Sequence, residues 1–375
     1  MQEYLFIFGR NPILSRAELV SFLSSNSIPF SEKYFRDNFA VIETQEVLPK
    51  NVISTLGGTV KIGEMTAKGR DIAELEMELD NKMLYDGSEK GFKYGITYYL
   101  YNKEIKEFLP EYLKKRFKKE KLKAQYKPHI QDKRLRNSKN IIEFSGMFCS
   151  GRYYLFRIKD VFDTELSEKR DIERPNVVPE LSIPPRVARI MINLSGAVVG
   201  DNLVDPFCGV GTILQEALII GINAFGVDIE KNRASGAVEN LRWIESEFKT
   251  TAKYKIIFGT AKKLSLIMKP EFADAVVSEP YLGPALRRRP GLIEAKAIRR
   301  EVEFLYRDTF SEIYKILKRG KRMVIISPRI VTKERKLSID MEKIANENHF
   351  VVLDHFTDYR PGQKIEREIF VLQKK

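Results

Sequence analysis

Apolar and polar positions along this chain follow two regimes. In the first 165 residues, short apolar runs are separated by polar turns. Tyr4–Phe8 (YLFIF) reads as a strand, and Ser15 as the cap of an amphipathic helix from Arg16 to Ser24. Asn38–Thr44 is a second strand, and a glycine pair precedes a short strand within Leu56–Met65. Such β-α-β pieces predict a small α+β domain over residues 1–65. A second unit is expected over residues 66–165. There Gly95–Tyr101 has the aromatic and β-branched content of a strand, and a helix follows with Pro110 near its first turn. IIEFSGMF and RYYLFRIK then read as two strands joined by a short turn. Residues 166–184 look like a connector, because Pro175, Pro179, Pro184 and Pro185 bar a continuous helix. After Pro185 the pattern is strand, glycine turn, helix, repeated to the end. That periodicity predicts an α/β domain over residues 185–375, built on an open, mostly parallel sheet.

Composition leaves that picture intact and adds a partner. A length of 375 residues fits two or three domains, and 43% hydrophobic content is ample for real cores. No run reaches the roughly 18 apolar residues of a membrane span, and the N-terminus lacks the basic region of a signal peptide. We therefore expect no membrane partner and a cytoplasmic location. Two cysteines and three histidines build neither a disulfide framework nor a four-ligand zinc site, so no metal is expected. The net charge of +13 points to a polyanion, with nucleic acid the leading candidate. The excess is concentrated: Lys114 to Lys139 holds twelve Lys or Arg against Glu120 and Asp132. Lys114, Lys115, Arg116, Lys118, Lys119, Lys133, Arg134 and Arg136 would form a basic helical face following a phosphate backbone. Phe117, Tyr126 and His129 would supply rings among them.

The densest chemistry lies in the last domain. In NLVDPFCGVGTILQEALIIG (Asn202–Gly221) a strand ends at Asp205, a turn carries Gly209 and Gly211, and a helix starts near Thr212. Glycines admit close ligand approach, and a helix N-terminus favours a carboxylate. The next strand ends at Asp228, an acid placed to accept from both ribose hydroxyls. The glycine spacing is not the G-x-G-x-x-G of dinucleotide enzymes. Instead, D-P-F-C-G-x-G-T resembles motif I of class I S-adenosylmethionine-dependent methyltransferases. Cys208 inside it reads as a small apolar filler. Two β-α units later, Phe272–Val277 is a strand with Ser278, Glu279, Pro280 and Tyr281 at its end. Amino-methyltransferases place D-P-P-Y or N-P-P-Y here. An exocyclic amine is a poor nucleophile, so an acceptor on its N–H and a ring stacked on the base both help. Either Ser278 or Glu279 matches the family's first position. Upstream, Thr260 and Ala261 stand where the family has an acid and alanine against the adenine.

Over nearly its full length the chain resembles the archaeal and eukaryotic THUMP-domain tRNA guanosine-N2 methyltransferases. FGRNPILSRAEL and LGGTVKIGE look like that family's ferredoxin-like domain, and the unit ending in GRYYLFRIKD is placed like its THUMP domain. R-D-x-x-R-P, P-P-x-x-A-R-x-M-x-N-L and DPFCGVGTI recur in the connector and catalytic domain. The resemblance implies a Rossmann-like catalytic domain, methyl transfer to the N2 of a tRNA guanosine (position 10 above all), and S-adenosylmethionine as cofactor. Asp205, Pro206, Phe207, Gly209, Gly211, Thr212, Asp228, Ile229, Thr260 and Ala261 would line that cofactor. Ser278, Glu279, Pro280 and Tyr281 would receive the flipped guanine, and Arg287, Arg288 and Arg289 would hold flanking phosphates. A small activator subunit is an admissible partner, and the sequence sets no oligomeric state. The alternatives are an RNA-binding protein with a decayed site, or an amino-methyltransferase of another nucleic-acid base.

Overall fold

The computed structural model describes residues 1–375 other than 88, 90, 179–182 and 360–361, so Pro179 of the expected connector lies outside the described residues. Chain contacts define two compact units: Met1–Pro12 with Ile28–Thr164, and Ile13–Ser27 with Glu165–Lys375.

The first unit is one mixed sheet. Its strands are β1 (Gln2–Phe8), β2 (Phe30–Arg36), β3 (Phe39–Thr44), β4 (Thr59–Gly69), β5 (Gly91–Tyr99), β6 (Lys123–Tyr126), β7 (Ile141–Cys149) and β8 (Arg152–Val161). Among the described residues they pair in the order β2-β3-β1-β4-β8-β7-β5-β6. β4 pairs with β1 on one side and β8 on the other, so one strand runs across the division at residue 65 that the pattern suggested.

Three local expectations needed correction. The first helix is Pro12–Ser25, so Ser15 is buried inside it rather than capping it. Proline suits the first helical turn because its missing N–H has no intrahelical partner there. The next long helix, Lys103–Lys119, is capped by Asn102, whose side chain accepts from the Ile105 N–H. Pro110 therefore falls in its interior. The basic run is also not one helical face. Lys121 takes a left-handed φ of 56° and the Leu122 N–H bonds back to the Phe117 carbonyl, closing the helix. The run continues as β6 and the short helix Asp132–Asn137.

The second unit carries β9 (Asn202–Asp205), β10 (Asn223–Asp228), β11 (Tyr254–Phe258), β12 (Ala273–Ser278), β13 (Leu317–Val331), β14 (Lys336–Ser338), β15 (Phe350–Asp358) and β16 (Ile365–Lys374). Their order is β11-β10-β9-β12-β13-β16-β15, with β14 on β13. β9 to β13 run parallel, whereas β16 is antiparallel to both β13 and β15. This is the Rossmann-like α/β sheet that the sequence pattern implied. Side chains alternate across it, because successive strand residues face opposite sides. Leu203, Ala275, Val277, Val324, Ile326, Ile369 and Val371 join one core. Val204, Val276, Met323, Ile325, Phe370 and Leu372 join the other. Helices cover both faces, and Pro185 sits in the first turn of Pro185–Leu194, as expected. The helix Pro12–Ser25 contributes Leu14 to the first of these cores, and its Glu18 accepts from Asn193 Nδ2 at 2.7 Å. The strand order reverses between β9 and β12, where their C-terminal ends leave a crevice open to a ligand.

Candidate active site

Each strand meeting at that crevice ends in a polar residue. Asp205 closes β9 and is buried. Its Oδ1 accepts from Ser278 Oγ at 2.6 Å and from the Phe207 N–H at 3.1 Å. Burial pushes the Asp205 carboxyl up to about 7, against the pull of those hydrogen bonds. Asp228 closes β10, accepting the Gly209 N–H on Oδ2 and the Glu230 N–H on Oδ1, both at 2.8 Å. This acid therefore ties the glycine loop to the next strand. A carboxylate offers about four lone-pair sites, so acceptor capacity remains on both oxygens.

The loop itself explains its glycines. Gly209 and Gly211 have φ of 52° and 89°, a region that strains L side chains. A Cβ on Gly209 would meet open space, so conformation selects glycine there rather than crowding. Thr212 then opens the helix Thr212–Ile219. Cys208 is buried and its thiol is pushed up by burial, which fits the expected filler role. Thr260 uses its hydroxyl to accept from the Lys262 N–H at 3.3 Å, capping a short turn that buries Ala261. Ile229 stands exposed beside Asp228.

The corner after β12 divides its labour. Ser278 is the last strand residue and spends its hydroxyl on Asp205. Glu279 is half-buried, and its Oε1 accepts from Arg367 Nε at 2.5 Å. Burial raises the Glu279 carboxyl, while the Arg367 charge and hydrogen bond lower it. Tyr281 is 43% exposed, leaving a ring face at the crevice mouth. A cavity of about 900 Å³ joins these groups. Asp205, Pro206, Phe207, Gly209, Thr212, Asp228, Ile229, Thr260, Ala261, Glu279, Pro280 and Tyr281 all line it. Arg367, Lys364, Leu286 and Leu305 line it too, and no motif flagged them. Arg367 lies 88 positions from Glu279, so only sheet pairing brings it there.

The basic residues fare unevenly. Lys114, Lys115, Lys118, Lys119, Lys133 and Arg134 lie at the surface of the first unit. Arg116 is held by Asp80 and Glu120, and Arg136 by Asp163, so both are committed to local ion pairs. Phe117 is 1% exposed and packs edge-on against Phe92 and Tyr94, so its ring cannot meet a base. It sits on the apolar face of its helix, which the core claims first. In the second unit, Arg287, Arg288 and Arg289 are exposed, with Arg288 at 3.2 Å from Glu294. Among the described residues, no cluster of His, Cys, Asp or Glu could hold a metal, and no helix is long and apolar enough to cross a membrane.

The raised Asp205 carboxyl makes stability depend on pH. An acid whose folded pKa exceeds its ordinary value of 3.8 stabilises the fold below that value. The contribution is lost as pH rises through about 7. Asp205→Asn should therefore gain on the wild type, by on the order of a few kcal/mol, as pH rises from about 4 to about 7, and hold that margin above it. Urea unfolding of both proteins across that range checks this. A difference independent of pH would show that Asp205 ionises normally.

The chain is similar to known proteins. A family described as a DNA methylase matches residues 43–239, and one described as an RMKL-like methyltransferase domain matches residues 179–353. The chain is 29% identical over 229 residues to a tRNA (guanine(10)-N2)-dimethyltransferase of Methanothermobacter thermautotrophicus, covering 61% of this chain and 60% of that protein. A protein of the same name from Pyrococcus abyssi is 30% identical over 138 residues, covering 36% of this chain and 40% of its own length. Both matches thus span less than two thirds of the relatives. The crystal structure of TrmN from Thermus thermophilus aligns over 100% of both chains, with a TM-score of 0.56 at 14% identity, and so shares the fold.

Proposed function

Because this chain belongs to the DNA methylase family that matches residues 43–239 and is similar over residues 179–353 to the RMKL-like methyltransferase domain, we propose that it methylates the exocyclic N2 of a tRNA guanosine, using S-adenosylmethionine. The observation that carries the reading is convergence. The glycine loop after Asp205, the acid Asp228 and Glu279, Pro280 and Tyr281 of the corner all line one cavity at the sheet's reversal point, with Ser278 buried behind them on Asp205. The relatives' names supply the base and the atom, with guanosine 10 the first position to test.

The residues present fit the cofactor. Open space above Gly209 admits a chain close to the backbone, and the N-terminus of Thr212–Ile219 favours its carboxylate. Asp228 retains acceptor sites for two ribose hydroxyls. Ile229 and Ala261 offer apolar walls for an adenine, while Thr260 offers only a hydroxyl already turned to the Lys262 N–H. When bound, the cofactor supplies an electrophilic methyl carbon. Glu279 accepts from the guanine amine and so strengthens its lone pair, and Tyr281 offers a ring for the extruded base to stack on. Pro280 stiffens the backbone between them.

For the first unit we infer the division into ferredoxin-like and THUMP parts, the latter gripping the tRNA through its surface lysines. The experiment is direct. Unmodified tRNA incubated with the protein and methyl-labelled S-adenosylmethionine should yield N2-methylated guanosine in the nucleoside digest. The ratio of mono- to dimethylated product reports how many transfers occur. Cofactor binding with no label in any tRNA would instead mark an RNA-binding protein with a silent site, and labelled duplex DNA would move the substrate.

A further inference from the structure

Glu279 is gripped from a strand that no motif marks. It directly follows β12, whereas Arg367 lies on β16, two strands away across β13. Arg367 pairs in register with Pro328 of β13 on one side and Asp358 of β15 on the other. Proline carries no N–H, so this rung lacks the donor that any other residue would supply from β13. From this position the Arg367 guanidinium reaches over the β13 strand end and donates to Glu279 Oε1 at 2.5 Å. Both side chains line the cavity.

Resting on the assignment of Glu279 as amine acceptor, we propose that Arg367 is its positioning residue. Arg367 keeps the carboxylate ionised and aimed through Oε1, so that Oε2 serves the amine. The surrounding charges make this necessary. Asp358, 6% exposed, and Asp205, 2% exposed, both bear on Glu279 with the same sign. Tyr306, from the helix Leu292–Ile316, faces it too, with its hydroxyl donating to the Ile326 carbonyl at 2.8 Å. Arg367 is therefore the cation that offsets the Glu279 charge beside these acids. Without it, a half-buried Glu279 beside Asp358 and Asp205 takes up a proton, and a protonated carboxyl loses most of its strength as an acceptor. A lysine at the same place would keep the charge but lose the planar guanidinium that fixes direction.

The test separates this role from the methyl-transfer reading itself. Carbon-13 NMR of glutamate carboxyls in the full-length protein follows the Glu279 titration, with Glu279→Gln identifying the signal. Arg367→Gln should raise its midpoint by about one unit or more, and Arg367→Lys should restore most of the shift. In turnover with tRNA, Arg367→Gln should lower kcat by at least about 30-fold. Both KM values should stay within about threefold, since ground-state contacts are unchanged. The acid limb of the pH–rate profile should move up with the NMR midpoint, and Arg367→Lys should recover part of the rate. An unchanged midpoint and an unchanged pH profile in Arg367→Gln overturn the proposal. If that variant does not fold by circular dichroism, Arg367→Lys decides: its midpoint should stay near the wild type while its kcat falls, because the charge is kept and the direction lost, and a wild-type kcat in Arg367→Lys overturns the proposal. If the wild type labels no tRNA, the methyl-transfer reading falls, and the titration alone still decides what Arg367 does to Glu279.

Discussion

Replacing Glu279 with glutamine is expected to lower methyl transfer to tRNA by roughly 10²–10⁴-fold while cofactor affinity changes little. Glutamine keeps the side chain's shape and one acceptor oxygen but removes the negative charge. The charge matters because the nitrogen becomes positive as the methyl group arrives, so the acceptor is felt most strongly in the transition state. Affinity should hold, because the groups proposed to hold the cofactor are Asp228, the Gly209–Thr212 loop and their neighbours. Alanine at the same place should be worse, since it also strands the Arg367 guanidinium that Glu279 now engages at 2.5 Å. Single-turnover rates with labelled cofactor, set beside calorimetric affinities for S-adenosylhomocysteine, give the two quantities. Wild-type rates in Glu279→Gln would return the acceptor role to Ser278 or to a backbone carbonyl.

The second large effect concerns stability, in the middle of the helix Thr212–Ile219 that follows the glycine loop. Glu216 is 1% exposed. Its Oε1 accepts from Arg170 Nε at 2.7 Å and its Oε2 from Arg189 Nη2 at 2.5 Å. One carboxylate thus binds the helices Thr164–Ile172 and Pro185–Leu194 to Thr212–Ile219. Arg174 adds a bond from Nη1 to Thr212 Oγ1 at 2.6 Å. Glu216→Ala leaves two guanidinium charges buried without their counter-ion, which should cost about 3–5 kcal/mol. The thermal midpoint should fall by on the order of 10 °C. Replacing Glu216, Arg170 and Arg189 together with apolar residues of similar volume should restore most of that loss, because no unpaired charge then remains. Scanning calorimetry of the single and triple variants tests both halves. A Glu216→Ala protein melting within about 2 °C of wild type would mean water already solvates the triad.

That triad also shows where reading by residue order fell short. The R-D-x-x-R-P phrase was visible as a recurrent string in a connector. In the folded chain its two arginines anchor the start of the second unit to the cofactor helix, Arg170 through Glu216 and Arg174 through Thr212. Strands and glycine turns of the last domain were legible because their signals are local. Continuous apolar runs need only a sheet with two covered faces, and a left-handed turn needs glycine at 209 and 211 whatever surrounds it. Phe117 failed for the converse reason. Its neighbours in sequence are lysines, but its neighbours in space are Phe92 and Tyr94.

The same division runs through the candidate site. Residue order alone determined the open sheet of the second unit, the loop after Asp205, the acid at Asp228 and the corner Ser278–Tyr281. Each of these is a short segment whose chemistry travels with its backbone conformation. Tertiary structure alone decided that Ser278 serves Asp205 while Glu279 meets Arg367, and that Arg116 and Arg136 are bound to Asp80 and Asp163. Those outcomes depend on which strands and helices come to lie side by side. Burial then sets the pairing, because a charge removed from water must find a partner, and the partner's distance along the chain carries no cost once the sheet has formed.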